Sequence, residues 1–252
     1  MAAAASGSAC SALLLAAADI KLRIELHVDC DSPGASAVPA GADVTIVGLV
    51  GGAPNVAQIH GGQGTFLRVL PGASLRLQRV RISQRLSTGY QPAVLSNSGT
   101  VSITDSEIAN NTQSASETGA MTAYAMASAG AILNNNNATM TFGDNCNVSN
   151  NTALAMAYTA AFTGAVADSG AILNHGKLSF GDHCTFENNV ASALSQAGYH
   201  PEPGGATANS AAGFLYVGAV TTLPLAFQPS VTFGGASSSS FLSHSLRTSF
   251  PP

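Results

Sequence analysis

Two aspartates occupy equivalent places in two copies of a short motif, and carboxylates so arranged suit metal binding or acid–base hydrolysis. The motif Phe-Gly-Asp ends at Asp144 and again at Asp182. On adjacent coils of a stacked structure the two carboxylates would lie roughly 5 Å apart, which is the spacing of neighbouring strands. That separation fits a Ca²⁺ site or a pair of hydrolytic carboxyl groups. The alternative is that Gly-Asp is simply a turn dipeptide that recurs with the repeat, and the lack of a third carboxylate favours it.

A basic cluster is the second candidate for chemistry. It contains four arginines: Arg76, Arg79, Arg81 and Arg85. With Arg76 and Arg81 facing outward, the cluster would hold an acidic sugar or supply the base of a uronate lyase. Such an elimination also needs the substrate carboxylate neutralised, usually by calcium, and only Asp43 and Asp105 are offered nearby. A solvated basic face is therefore the favoured interpretation.

The histidines and cysteines predict structure more than chemistry. His60 has no acid or nucleophile near it in sequence, and His175 and His183 flank a short strand. Cys146 and Cys184 recur at one repeat position, so their Cα atoms should lie about 5 Å apart, which is within disulfide range. We expect them to point inward as reduced core residues, with pairing as the alternative in an oxidising compartment.

Composition narrows the class of protein. Only 9% of the 252 residues are charged, against roughly 25% in an average globular domain. The formal charge of −4 argues against a nucleic-acid partner, which would require a basic face. No apolar run reaches about 18 residues, so we expect no integral membrane segment.

Internal repetition is the strongest signal in the sequence. A three-part unit recurs three times between residues 93 and 190, with intervals close to 40 residues. Its parts are an Ala-Ile-Leu-Asn-like segment, a Phe-Gly-Asp-like segment and a segment that ends in Asn-Asn, which begin in the three copies at residues 93, 101 and 108, then 130, 142 and 148, then 170, 180 and 186.

The repeat unit predicts the fold. Apolar residues alternate with polar ones over four to six positions, which is the period of a β-strand, and Gly, Asn and Asp separate the segments. Strands this short bury their inward face only by stacking on successive copies. We therefore predict an all-β chain that forms a right-handed, single-stranded parallel β-helix. The paired asparagines should occupy one corner of each coil, where Asn tolerates left-handed backbone and its amide bonds the next coil.

Ala/Ser/Thr-rich stretches separate the three copies, at residues 112–129, 152–169 and 190–210. Their patterning predicts long loops that leave one edge of the helix, with helical turns around residues 121–126 and 154–161. Loops on one face of a solenoid often form its binding surface. Tolerated low-complexity insertion is the alternative.

The whole chain, residues 1–252, is predicted to be one domain. Residues 1–19 would form an N-terminal capping helix, or a signal-like segment whose apolar run covers residues 9–18. Residues 20–92 would form irregular coils, residues 93–190 the three signature repeats, and residues 191–252 irregular C-terminal coils and a tail. The Ser-rich end also fits a fragment of a larger protein.

The repeats resemble those of chlamydial polymorphic outer-membrane proteins, in which GGA[ILV] and FxxN motifs alternate. Phe186-Glu187-Asn188-Asn189 matches the second motif, and Gly-Ala-Ile at residues 130 and 170 matches the first without its leading glycine. The resemblance covers roughly 100 residues and implies a surface-displayed, adhesin-like protein.

The upstream half resembles the pectin-lyase-like superfamily in the cadence of residues 40–48 and 72–77. That resemblance implies carbohydrate handling. Three functions remain open: a non-enzymatic secreted or cell-surface protein that binds a polysaccharide or surface glycan, a polysaccharide lyase or glycoside hydrolase, and a structural solenoid without a ligand. The first is favoured, with no cofactor apart from the Ca²⁺ considered above.

Overall fold

The described part of the computed structural model consists of β-strands and contains no helix. It covers residues 2–5, 20–31, 35–49, 56–119, 122–159, 162–197, 206–210, 214–216, 220–222 and 231–234. Within these residues, strands β1–β28 form five sheets, and the strands of each sheet pair in parallel. The chain is thus a parallel β-helix, as the repeats predict, and its right-handed sense stays a prediction.

Three sheets, A, B and C, form the body of the helix. Sheet A contains β1 (Ala2–Ala5), β2 (Lys21–Leu26), β5 (Asp43–Gly48), β8 (Ser74–Gln78), β12 (Thr100–Thr104), β17 (Thr139–Phe142), β22 (Lys177–Phe180) and β27 (Val220–Thr222). Sheet B contains β3 (Cys30–Asp31), β6 (Ala57–His60), β9 (Val80–Ser83), β13 (Glu107–Ala109), β18 (Asn147–Ser149), β23 (Cys184–Glu187) and β28 (Val231–Gly234). Sheet C contains β4 (Ser36–Val38), β7 (Leu67–Val69), β11 (Leu95–Asn97), β16 (Ile132–Asn134), β21 (Ile172–Asn174) and β26 (Phe214–Tyr216).

The remaining two sheets, D and E, form a projection that we call the fin. Sheet D contains β10 (Leu86–Thr88), β14 (Thr112–Gly119), β19 (Thr152–Thr159) and β24 (Val190–Ala197). Sheet E contains β15 (Thr122–Ala129), β20 (Phe162–Ser169) and β25 (Ala206–Ser210). Each signature coil therefore runs through a strand of C, A and B, leaves the body along D, and returns along E.

The fin corrects the prediction of long loops between the later coils. Where they are described, the stretches expected to be loops are strands, eight residues long except for the five-residue β25. The helical turns expected around residues 121–126 and 154–161 are wrong, because β15 occupies residues 122–126 and β19 occupies residues 154–159. The cause is a period-two pattern in which alanine takes most of the inward positions. Alanine is a weak strand former, so the pattern is easily read as low complexity.

Small side chains, mostly alanine, fill the described interior of the fin, and Gln113 is buried near the start of β14. Its buried cluster contains Ala115, Ala123, Ala125, Ala127, Ala153, Ala155, Ala157, Ala165, Ala167 and Ala191. Ordinary stacked sheets lie about 10 Å apart. Side chains as short as alanine touch across the interior only when the two sheets lie closer together than that. The fin is thus a thin plate with a core of its own, separate from that of the body.

The core of the body is a stack of large apolar side chains that repeat from coil to coil. Ile132 pairs with Ile172 and Phe142 pairs with Phe180, which confirms the register expected from the repeats. The Phe142 and Phe180 rings stack with centroids 5.6 Å apart, and the Phe186 ring meets both edge-on at 5.5 and 5.2 Å. Both arrangements are favourable for aromatic pairs.

Asparagine pairs turn the chain from sheet B into the fin, as predicted. The first residue of each pair has left-handed backbone, with φ of 58° at Asn110, 54° at Asn150 and 53° at Asn188. The second residue of each pair points inward and is buried. These second residues form a ladder, because Asn111 Nδ2 donates to Asn151 Oδ1 and Asn151 Nδ2 donates to Asn189 Oδ1, both at 2.9 Å.

A second asparagine ladder, which the sequence did not lead us to expect, closes the corner between sheets C and A. Asn97 Nδ2 donates to Asn134 Oδ1 at 2.8 Å, and Asn134 Nδ2 donates to Asn174 Oδ1 at 2.6 Å. All three side chains are fully buried. The Asn of the Ala-Ile-Leu-Asn segment therefore satisfies buried backbone and side-chain groups at a turn.

Glycine is needed where each coil returns from the fin to the body. A Cβ placed on Gly130 would collide with the backbone carbonyl of Gly170, and one on Gly170 would collide with the backbone at Val190. The backbones approach each other too closely there for any side chain. This contact explains the glycine that opens the Gly-Ala-Ile-Leu-Asn motif.

The chain ends extend the same architecture where they are described. Residues 2–5 pair with β2, and β26, β27 and β28 continue sheets C, A and B beyond the signature coils. The predicted capping helix or signal-like run at residues 9–18 lies outside the described residues. No helix in the described part of the chain is long and apolar enough to cross a bilayer.

Candidate functional site

The helix corners divide the arginine cluster between different faces. Arg76 projects from the outer face of sheet A, where its Nη1 lies 2.8 Å from the Asp43 carboxylate. Arg81 projects from the outer face of sheet B, where its Nε lies 3.4 Å from Glu107 Oε2. Arg79 occupies the corner between these sheets, with a φ of 51°. The two candidate catalytic arginines therefore face different surfaces, and each is paired with an acid.

Arg85 turns into the core instead of toward solvent, and only 1% of its surface is exposed. It donates to the backbone carbonyls of Gly61 and Gly64 at 2.9 and 3.0 Å, and its guanidinium lies 5.0 Å from the Phe66 ring centroid. Burial lowers the pKa of Arg85 to about 10. Its backbone N–H donates to Asn111 Oδ1, so Arg85 forms the base of the first asparagine ladder.

The two motif aspartates lie on neighbouring coils at the corner between sheets A and B. Asp144 Oδ1 accepts a hydrogen bond from the backbone N–H of Asp182 at 2.9 Å, while both side chains remain exposed. Asp105 lies at the same corner and accepts from Asn145 Nδ2 at 2.9 Å. No three His, Cys, Asp or Glu side chains in the described part of the chain converge to hold a metal ion.

Replacing Asp144 with alanine should separate the structural role of this corner from a metal-binding role. The substitution removes the acceptor of the Asp182 N–H, so we expect a loss of about 1 kcal/mol in the free energy of unfolding. Urea denaturation with and without millimolar Ca²⁺ measures it, and Asp182→Ala is the matched control. Calcium should leave all three midpoints unchanged. A calcium-induced rise in the native chain that Asp144→Ala abolishes would establish a metal site instead.

The register of sheet B brings together an acid and a base that the sequence separates. Asp31 and His60 are partners on adjacent strands, and Asp31 Oδ1 lies 2.8 Å from His60 Nε2. The contact joins residues on different coils outside the signature repeats, so sequence spacing gave no sign of it. Ser83 follows in the same register on the next strand and is buried.

The repeat-position cysteines point inward as predicted. Cys146 and Cys184 are free thiols, 2% and 0% exposed. Hydrogen bonding to Cys184, together with burial, raises the pKa of the Cys146 thiol. Cys30, by contrast, is disulfide-bonded.

The outer face of sheet D exposes apolar and hydroxyl side chains, with no charged residue among those that the structure describes. It carries hydroxyl and apolar side chains in rows that repeat from coil to coil: Thr112, Thr152 and Val190; Ser114, Leu154 and Ser192; Ser116, Met156 and Leu194; Thr118 and Tyr158. Val190 and Leu194 are 47% and 48% exposed. These rows contain no charged residue. We call them the fin face.

Side chains on the fin face support one another. The Tyr158 hydroxyl lies 3.6 Å from the Met156 sulfur, so the phenol extends along the strand. Leu154 and Met156 are half-buried beside the more exposed Val190 and Leu194. The result is a regular surface of methyl, thioether and phenol groups interspersed with hydroxyls.

Two other faces offer less for recognition of an apolar partner. The outer face of sheet A carries hydroxyl rows in the signature coils, such as Ser102, Thr141 and Ser179, and Thr141 and Ser179 hydrogen-bond each other at 3.0 Å. The outer face of sheet E exposes Tyr124 but also carries Asp168, whose carboxyl pKa is raised by burial.

Comparison with known proteins does not assign the chain to a family: no family model, no curated protein and no solved structure matches it. The geometry of the described residues therefore carries the functional argument.

Proposed function

We propose that this protein is a non-enzymatic, secreted or cell-surface β-helix that binds a neutral glycan on its fin face. The observation that carries the proposal is an uncharged surface on which exposed apolar side chains alternate with hydroxyls. Monomeric soluble proteins seldom expose contiguous apolar surface unless it binds something.

The chemistry of the fin face suits sugar rings. A pyranose has apolar C–H faces that pack on groups such as Met156, Leu194 and Tyr158, and hydroxyl edges that bond to Ser or Thr. Binding sites for small molecules typically combine such apolar contact with a few polar groups that fix orientation. Strand stacking places successive strands of this face about 4.8 Å apart along the helix axis, so an extended polymer would meet hydroxyl groups on β14 and both apolar and hydroxyl groups on β19 and β24.

Three features support the extracellular and non-enzymatic parts of the proposal. Disulfides persist in oxidising compartments, and Cys30 is disulfide-bonded. Arg76 and Arg81, the candidate lyase residues, each pair with a carboxylate and face different surfaces. The Gly-Ala-Ile and Asn-Asn segments stack in register, which supports the inferred relationship to polymorphic outer-membrane repeats and to pectin-lyase-like solenoids.

Retention on polysaccharides tests this function. The full chain is passed over immobilised cellulose, xylan, pectin and alginate, with Met156→Glu and Leu194→Glu as fin-face variants. A carboxylate among the apolar groups should weaken binding to the neutral polymers by at least roughly tenfold, equivalent to about 1.4 kcal/mol. Thr100→Glu, an exposed position on sheet A, is the matched control and should bind like the native chain.

Two results would contradict the proposal. Equal retention of the fin-face variants and the native chain would exclude the fin face as the binding surface. New chain ends in the polymer, lost on Arg81→Ala, would instead establish a lyase or hydrolase on sheet B. Melting curves of each variant confirm that lost retention does not reflect unfolding.

A further inference from the structure

We propose that Cys146 and Cys184 are a redox modification site, a dithiol that closes to a disulfide and fastens two successive coils together. The proposal concerns the body of the helix and does not depend on any ligand of the fin face.

Register places the two cysteines side by side. Asn147 pairs with Thr185, and the Thr185 N–H donates to the Cys146 carbonyl at 2.7 Å, so the residues just before them occupy one column of sheet B. Neighbouring strands lie about 4.8 Å apart. That spacing falls inside the range of roughly 4.4–6.8 Å between the Cα atoms of disulfide-bonded cysteines.

The thiols also share an orientation. Both point into the core, where Cys146 Sγ donates to the Ile103 carbonyl at 3.2 Å and Cys184 Sγ donates to the Gly143 carbonyl at 3.1 Å. Ser106 holds the same position one coil earlier and Val231 one coil later, so the column contains one pair of adjacent thiols among the described residues.

The chain already contains oxidised cysteine. Because Cys30 is disulfide-bonded, conditions that oxidise Cys30 are also able to supply an oxidant to the Cys146–Cys184 pair. Closure breaks two S–H bonds and forms one S–S bond. The two electrons and two protons pass to an oxidant such as diamide, whose azo group becomes a hydrazine.

Formation of the Cys146–Cys184 disulfide would stabilise one coil of the fin. The segment between the two cysteines includes β19 and β20, the middle coil of the fin, which carries Leu154 and Met156. A cross-link constrains the unfolded chain more than the folded one. The disulfide should therefore raise the stability of this coil without changing the surface that it presents.

Peptide mapping after oxidation tests the site. The full native chain is incubated with diamide, and its remaining thiols are alkylated in denaturant. The masses of its proteolytic fragments are then measured by mass spectrometry. We expect a fragment pair joined through Cys146 and Cys184, lighter by two hydrogens than its separate halves, and a higher melting temperature that returns to its original value on mild reduction. Because both thiols are buried, the reaction should speed up in low urea, where coils open locally.

Two variants complete the test. Cys184→Ser should give neither the joined fragment nor the rise in melting temperature under diamide. If that variant fails to fold, Cys184→Ala, which keeps a small apolar side chain, takes its place. Full alkylation of both thiols after prolonged oxidation in low urea, or cross-linking only between separate molecules, would overturn the proposal.

Discussion

Replacing Asn151 with alanine should lower the free energy of unfolding by about 4 kcal/mol, because it removes the middle of the first asparagine ladder. Asn151 Oδ1 accepts from the Asn111 N–H at 3.1 Å, and its Nδ2 donates to the Ile108 carbonyl at 2.9 Å. Asn151 is fully buried, so water does not replace these bonds. A buried group left without its partner costs about 1–3 kcal/mol, and two backbone groups are affected. Urea denaturation followed by circular dichroism measures the loss.

The neighbouring asparagine provides the control. Asn150 is exposed and has left-handed backbone, which glycine adopts without strain, so Asn150→Gly should change stability by less than about 1 kcal/mol. Equal effects at the two positions would mean that the turn conformation, rather than the ladder, stabilises this corner.

Enlarging an alanine inside the fin should have the next largest effect. Ala155 is fully buried, and its partners on the adjacent strands are Ala115 and Ala193. A leucine at this position would push apart two sheets whose separation is set by methyl groups. Overpacking costs typically 1–3 kcal/mol, and we expect Ala155→Leu to reach about 3 kcal/mol because Ala155 lies among alanines that are themselves buried. Chemical denaturation and hydrogen exchange of fin amides measure the effect.

A leucine at the next position distinguishes crowding of the fin interior from the mere introduction of a leucine into β19. Met156 faces outward on the same strand, so Met156→Leu should alter stability by less than about 1 kcal/mol. A fin that accepts leucine at position 155 as readily as at position 156 would show that its two sheets are not held together by alanine contact.

Much of the body of this fold was predictable from the sequence because each coil repeats the same local chemistry. Asn150 and Asn151 illustrate it, since one tolerates left-handed backbone and the other bonds its equivalent on the next coil. Likewise, equal spacing in the repeats placed Cys146 against Cys184. The fin was missed because alanine gives a weak hydrophobic signal, although the inward positions from Ala153 to Ala157 alternate as those of a strand should.

The side-chain contacts of the candidate residues on sheets A and B were less predictable, because they join coils whose register is not visible in the sequence. Asp31 contacts His60 on the next coil, outside the signature repeats. The arginines, although close in sequence, do not share one face, because a corner at Arg79 turns Arg76 and Arg81 toward different faces. A non-glycine residue with a φ of 51° is uncommon, and sequence alone did not mark it as a corner.

The direction of the backbone hydrogen bonds also determines how this molecule carries load. They run along the helix axis, so tension between the two ends pulls neighbouring coils directly apart and does not shear them past each other. Coils would detach one after another from the end. Equivalent residues in the fin-bearing coils are 40 and 38 positions apart, so each detachment would release about 130 Å of extended chain at roughly 3.4 Å per residue. Such a chain would absorb mechanical work in steps.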